Sequence, residues 1–214
     1  MPERIVCFGG SFDPVHNGHL IVARAVAEAR GFERITLVPA ANPPHKPPTR
    51  ASAADRLAML RLAIEGEGLF DICQIELDRT GPSYTLDTLT FLRRSRGQDA
   101  EIHWIIGSDM LAELHRWHRA EELLRAARMV VVARPPWRDR LDELFVQLRG
   151  HLPPDQVRGL RESVVDTPLI DISSTEIRHR AAAGMSVRYL VPQPVADYIS
   201  RKGLYSAGRG EPAG

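Results

Sequence analysis

Short unbroken apolar runs alternate with longer stretches of helical periodicity along most of the chain. Residues 4–8, 35–39, 72–77, 102–106 and 129–133 read as strands. Their runs are continuous rather than alternating, which suits a sheet covered on both faces. Helical stretches lie between them. Residues 20–30 end at Gly31, a residue suited to stop a helix. Residues 55–64 set Leu57, Leu60 and Ile64 on one side, and residues 83–94 do the same with Leu86, Leu89 and Leu92. Residues 121–127 and 138–148 complete the alternation. This order predicts an α/β fold, a doubly wound parallel sheet joined by right-handed crossovers. Ligands of such sheets sit beyond the carboxyl ends of the strands, where strand order reverses.

Two stretches break the pattern. Residues 39–48 contain five prolines and predict a long shaped loop, since proline fits neither a helix interior nor a central strand. Residues 206–214 are rich in Gly, Ala and Pro and predict a disordered tail. The expected organisation is one domain over residues 1–205, with residues 172–205 as a small helical C-terminal portion.

The chemistry is concentrated just after the strands. Gly9-Gly10-Ser11-Phe12-Asp13-Pro14-Val15-His16-Asn17-Gly18-His19-Leu20 runs from the first strand into the first helix. Two glycines let a phosphate approach the backbone, and a helix N-terminus favours an anion through its unpaired N–H groups. His16 and His19 are three apart, on one side of a helical turn. Two surface histidines on a plain turn, or half a metal site, are the alternatives. Neither Cys7 nor Cys73 offers zinc-ligand spacing nearby. The segment lacks both the dinucleotide fingerprint and the Walker-type phosphate loop, and phosphate binding is the preferred reading.

A second segment, Ile172-Ser173-Ser174-Thr175-Glu176-Ile177-Arg178, has Ser173 and Glu176 placed as a capping box. Hydroxyls and free amides at a helix start, with an Arg one turn in, suit a triphosphate. Together these two segments resemble the paired signatures of the nucleotidyltransferase superfamily that carries the His-x-Gly-His motif. Pro43-Pro44-His45-Lys46, Gly81-Pro82-Ser83-Tyr84-Thr85-Leu86-Asp87-Thr88-Leu89 and Trp104-Ile105-Ile106-Gly107-Ser108-Asp109 with Trp117 narrow the resemblance. So does Arg188-Tyr189-Leu190-Val191-Pro192 through Tyr198-Ile199. All resemble the bacterial nicotinate-nucleotide adenylyltransferase family, over residues from about 5 to 205. Ser11 stands where Thr is usual and keeps the hydroxyl; His118 stands where Tyr is common.

The resemblance implies a Rossmann-like nucleotidyltransferase fold and transfer of AMP from ATP to nicotinate mononucleotide, giving nicotinate adenine dinucleotide and pyrophosphate. It implies that His16, His19, Lys46 and Arg178 act on the phosphates, His19 nearest the reacting phosphoryl group. Gly9, Gly10, Ser11, Phe12, Gly107 and Asp109 are expected on the ATP side, with Ser173, Ser174 and Thr175. Asn42, Lys46, Tyr84, Thr85, Trp117 and His118 are expected on the mononucleotide. Trp117 offers a flat face to the pyridine ring. Trp104 reads as core. Asp109 suits a ribose or an N-cap, Ser83 suits an N-cap, and Arg134 suits either the ATP side or the surface. The helix start near Ser83-Tyr84-Thr85 favours a carboxylate over a carboxamide. Mg2+ is expected on the ATP phosphates rather than in a protein cage, since it keeps most of its hydration.

Other function classes fit less well. Enzymes using nicotinamide mononucleotide, phosphopantetheine or glycerol phosphate are the nearest competitors, and a nucleotide sensor without turnover is the competitor of another kind. Intact His16, His19 and Arg178 weigh against the sensor. Basic and acidic residues nearly cancel, 28 against 27, which opposes a broad polyanion surface and hence nucleic-acid binding. No apolar run is long enough for a bilayer, no export signal is evident, and both cysteines sit in apolar stretches as free thiols. The expected address is cytoplasmic. A homo-oligomer is left open.

Overall fold

The computed structural model describes residues 3–43, 47–133 and 137–206. Among the described residues six parallel strands form one sheet: β1 (Arg4–Gly10), β2 (Ile35–Pro39), β3 (Phe70–Ile72), β4 (Glu101–Gly107), β5 (Arg128–Val132) and β6 (Val164–Val165). Their order is β3-β2-β1-β4-β5-β6, so the chain steps outward from β1 to one edge and then returns to build the other half. The switch in direction falls between β1 and β4, which pair directly from Arg4↔Glu101 to Phe8↔Ile105.

Continuous apolar runs are needed in the central strands because β1, β2, β4 and β5 each feed two cores. Val6, Ile35, Leu37, Ile105, Val130 and Val132 face one side. There they meet α1 (Asn17–Arg30), α2 (Ala53–Ala63), α9 (Ser174–Ala182) and α10 (Gln193–Lys202). Cys7, Val38, Ile102, Trp104, Ile106 and Val131 face the other side. Against them pack α4 (Thr85–Arg96), α5 (Ser108–Leu111), α6 (Ala120–Ala126), α7 (Leu141–Leu148) and α8 (Pro154–Glu162). Adjacent residues thus point to opposite layers, and both positions must be apolar. Burial in this apolar setting pushes the Cys7 thiol up to about 12.

The sequence reading departs from the structure in several places, the unpredicted helix α8 among them. Residues 72–77 are not a strand: β3 ends at Ile72, and Ile75–Asp78 forms a single helical turn, α3. The Gln74 carbonyl accepts the N–H groups of Leu77 and Asp78 there, closing a turn inside a short apolar run that periodicity alone does not separate from a strand. The sixth strand, only two residues long, escapes any periodicity argument. In α2 the buried face is Arg56, Met59 and Leu60, while Leu57 and Ile64 are half-buried. The helix turns a charged residue inward, for a reason that lies in the cleft. Gly31 does close α1 in the left-handed conformation, at φ 62°. Of the expected tail, only Ser206 lies within the described residues.

Candidate active site

A cleft of about 380 Å³ opens over the carboxyl ends of β1 and β4, at the switch in strand order. His19 and Arg178 line this one cleft although they are far apart in sequence. Gly9, Gly10, Ser11 and Phe12 line it as well, as do Ser174 and Thr175.

The loop after β1 is shaped by its own side chains. A Cβ on Gly9 would lie 2.5 Å from Trp104 Cζ2, and one on Gly10 would lie 3.1 Å from the Phe12 ring. The glycines therefore make room for two buried aromatics as well as for an approaching ligand. Phe12 takes φ 46°, a left-handed value that is costly for an aromatic residue. The Asp13–Pro14 peptide is cis.

His16 is the N-cap of α1, not a residue of its first turn, and its backbone is extended. Its Nδ1 accepts the His19 N–H at 3.3 Å, while His19 Nδ1 accepts the His16 N–H at 3.2 Å. The two rings stack with centroids 3.6 Å apart. A neutral imidazole that accepts at Nδ1 carries its hydrogen at Nε2, so this reciprocal cap selects the tautomer of both rings. His19 is half-buried, flanked by the edges of Phe8 and Phe12, and lines the cleft. His16 is 2 % exposed and is not among the described lining residues.

The second signature is fastened onto this loop. Ser173 Oγ caps α9 by accepting the Glu176 N–H at 3.1 Å. Ser174 Oγ donates to the Pro14 carbonyl at 2.9 Å, and Arg178 Nη1 donates to the Asp13 carbonyl at 2.8 Å. The other end of the Arg178 guanidinium donates to Thr175 Oγ1 at 3.1 Å. Ser173 itself is exposed and outside the described lining.

Two residues that sequence reasoning missed hold the loop from behind. The Asp13 carboxylate is buried and accepts three bonds: Arg50 N–H at 2.7 Å, Ala51 N–H at 3.0 Å and Tyr205 O–H at 2.8 Å. Arg56, 1 % exposed, donates to the Ser11 carbonyl at 2.7 Å. Burial pulls its guanidinium below the usual range, and the neighbouring Asp13 carboxylate works against that shift. This is why α2 turns Arg56 inward. Burial also pushes the Tyr205 hydroxyl well above its ordinary value, with Asp13 adding to the effect.

The far end of the cleft is built from α4 and the segment after β4. Tyr84, Thr85, Trp117 and His118 line it. The His118 ring stacks on Tyr84 with centroids 4.2 Å apart, so the side chain, and not only the backbone, shapes this wall. Trp104 is 3 % exposed, a core residue whose ring forms the cleft floor. Gly107 is the N-cap of α5; Asp109 is not the cap but an exposed residue at the cleft wall. Ser83 does not cap α4 either, since the N-cap is Tyr84 and no side chain bonds there. Instead Ser83 Oγ accepts the N–H groups of Ala41 and Asn42, each at 3.1 Å. Asn42 bonds to Gly81 and Ser83 and is not among the described lining residues. Lys46 and Arg134 lie outside the described residues. Glu76, another residue the sequence did not single out, sits in the wall at 4 % exposure.

Comparison with known proteins identifies the family and the fold. Residues 7–180 match the family described as cytidylyltransferase-like. A protein of Serratia proteamaculans (strain 568), named "Probable nicotinate-nucleotide adenylyltransferase", is 43 % identical over 205 residues, covering 92 % of this chain and 93 % of its own. One of the same name from Pectobacterium atrosepticum is 43 % identical over 213 residues, covering 96 % of this chain and all of its own. The fold matches nicotinic acid mononucleotide adenylyltransferase of Plasmodium falciparum complexed with NaAD at a TM-score of 0.73 and 18 % identity, covering 95 % of this chain and 97 % of that one. The chain belongs to the nicotinate-nucleotide adenylyltransferase family, within the cytidylyltransferase-like group.

Proposed function

We propose that this protein transfers the AMP group of ATP to nicotinate mononucleotide, giving nicotinate adenine dinucleotide and pyrophosphate. One observation carries the reading: a single cleft is lined both by a tautomer-fixed imidazole and a clamped guanidinium and by an uncapped helix start and aromatic faces.

An oxygen of the mononucleotide phosphate forms a bond to the α-phosphorus of ATP. The bond from that phosphorus to the bridging oxygen breaks, and pyrophosphate leaves with the electron pair. A phosphate monoester is largely dianionic above pH about 6, so the nucleophile needs no general base. What remains is to align two anions and to stabilise charge on the transferred and leaving groups. His19 donates from Nε2 to the reacting phosphoryl group, and His16 holds that ring in place. Arg178 takes the β- and γ-phosphates. Trp117 stacks on the pyridine ring, and the free N–H groups at the start of α4 take the nicotinate carboxylate.

Magnesium arrives with ATP as part of the substrate. Among the described residues no cluster of three or more His, Cys, Asp or Glu side chains is placed to hold a metal ion. Nor is any described helix long and apolar enough to cross a membrane.

The test is pyrophosphate release from ATP with nicotinate mononucleotide and nicotinamide mononucleotide in parallel. Rapid release with the acid and slow release with the amide is expected. Equal rates would remove the acid preference; no release with either would remove the enzyme reading.

A further inference from the structure

The loop after β1 is held by its carbonyl groups. The Gly10 carbonyl accepts the Ala40 N–H at 2.9 Å, and the Ser11 carbonyl accepts an N–H from Arg56 Nη1 at 2.7 Å. Those of Asp13 and Pro14 are taken by Arg178 and Ser174. The donors come from the loop after β2, from α2 and from α9.

Each of these bonds also decides where an N–H group points. The Gly10–Ser11 and Ser11–Phe12 peptides are trans, the cis bond being Asp13–Pro14. A trans peptide sets its N–H opposite its C=O. Fastening the Gly10 and Ser11 carbonyls therefore turns the Ser11 and Phe12 N–H groups away from Ala40 and Arg56. Among the described residues neither N–H donates to a protein acceptor. Gly10, Ser11 and Phe12 all line the cleft, whereas Arg56 is not among its described lining residues. Two successive unpaired N–H groups at a bend suit an anion.

Arg56 is a costly donor for a single carbonyl. It is 1 % exposed, and its Nε is buried without a hydrogen-bond partner among the described residues. A buried cation with an unpaired donor lowers stability, and a neutral donor would fasten the same carbonyl more cheaply. What the charge adds is polarisation. A guanidinium on the Ser11 oxygen strengthens the donor at the other end of the same peptide, which is the Phe12 N–H.

We propose that Arg56 is a positioning residue for ATP: it holds and polarises the Ser11–Phe12 peptide so that the Phe12 N–H meets the triphosphate. The inference rests on the proposed transferase reading for its ligand, not for its geometry. Arg56 acts through the peptide it holds and not by contact with the substrate.

The experiment compares Arg56→Met and Arg56→Lys with the wild-type protein. Methionine keeps an unbranched apolar stem and loses the donor and the charge. In Arg56→Met the KM for ATP should rise about tenfold while the KM for nicotinate mononucleotide stays within about twofold, the size expected for one charge-assisted hydrogen bond. Arg56→Lys restores a charged donor without the planar fork and should recover part of the loss. Equal rises in both KM values, or a lysine variant no better than the methionine one, would overturn the proposal.

A titration of 15N-labelled protein with inorganic tripolyphosphate supplies a readout independent of turnover. In the wild-type protein the Phe12 amide proton should move downfield as the N–H gains a charged acceptor. Arg56→Met should bind tripolyphosphate about tenfold more weakly. A Phe12 resonance that tripolyphosphate does not move would sink the positioning role even in a fully active enzyme. If the wild-type protein released no pyrophosphate, the transferase reading would fall while the titration still judged Arg56. Should Arg56→Met fail to fold, the wild-type titration decides by the same criterion.

Discussion

The two ends of the cleft are assembled over very different distances along the chain. At the phosphate end, Arg178 reaches Asp13 across 165 residues, Ser174 reaches Pro14 across 160, and Tyr205 reaches Asp13 across 192. At the ring end, Thr88 meets Glu76 across 12 residues, and Ser83 meets Ala41 and Asn42 across 42 and 41. The phosphate end exists only once the last helices dock on the first loop. The ring end is built within one contiguous stretch of the chain. Damage to the final turns of the chain should therefore be felt at the ATP phosphates, and damage between residues 74 and 88 should be felt by the mononucleotide.

The largest effect that tests this division is His19→Ala. Losing one donor aimed at the transferred group costs about 3 kcal/mol of transition-state stabilisation, a rate loss of a hundredfold or more. The melting temperature should fall only slightly, because the His16 N–H loses its acceptor while the bond from the residue 19 N–H to His16 and the α1 packing remain; single-turnover kinetics beside a thermal melt checks both. Normal turnover would take His19 out of the chemistry.

Next comes Asp13→Ala. It strands the N–H groups of Arg50 and of buried Ala51 and the Tyr205 hydroxyl, and about 3 kcal/mol of folding stability should go with them. Urea denaturation measures the loss. The comparison sharpens if the KM for ATP rises in this variant and the KM for the mononucleotide does not.

Trp117→Ala should show the converse. About 1.4 kcal/mol of ring contact, or tenfold in mononucleotide affinity, is expected to vanish while ATP binding is kept. A larger change for ATP would contradict the division. Tyr205→Phe is a finer probe, since it removes a single hydrogen bond near the end of the chain. About 1 kcal/mol of stability should be lost. A rise in the KM for ATP would tie the turn after α10 to the phosphates.

The smallest expected effect depends on pH. Glu76 has a folded-state pKa raised above its ordinary 4.5, chiefly by burial. A raised pKa means the folded state holds its proton more tightly than the unfolded chain does. The corresponding stability is fully present below pH 4.5 and is lost as pH rises through the folded-state pKa. Wild-type stability relative to Glu76→Gln should therefore fall as pH rises from 4.5. Denaturation curves for the pair across that range measure it, and an opposite slope would mean that the carboxyl is not held up by burial.

The recognisable site residues differ from the silent ones in how they work. His19, Arg178, Thr85 and Trp117 were legible because their residue types advertise a task, and each lines the cleft. Asp13, Arg56, Glu76 and Tyr205 work on other protein groups, through partners that only the fold brings near. His16 stands between the two kinds. Its spacing from His19 was visible, yet the helix cap and ring stacking depend on where α1 begins. Ser83 was read as a local cap because nothing nearby in sequence reveals the Ala41 and Asn42 amides it serves.

By itself the sequence determined the parallel α/β architecture, the position of a cleft beyond the strand ends and the two segments that meet there. Apolar periodicity and the special demands of Gly, Pro and helix caps act locally, so they can be read locally. Tertiary structure alone decided the short strand β6, the inward turn of Arg56, and which wall each polar side chain serves. Those outcomes depend on burial and on hydrogen-bond partners many residues away, and neither is encoded in the spacing of neighbouring residues.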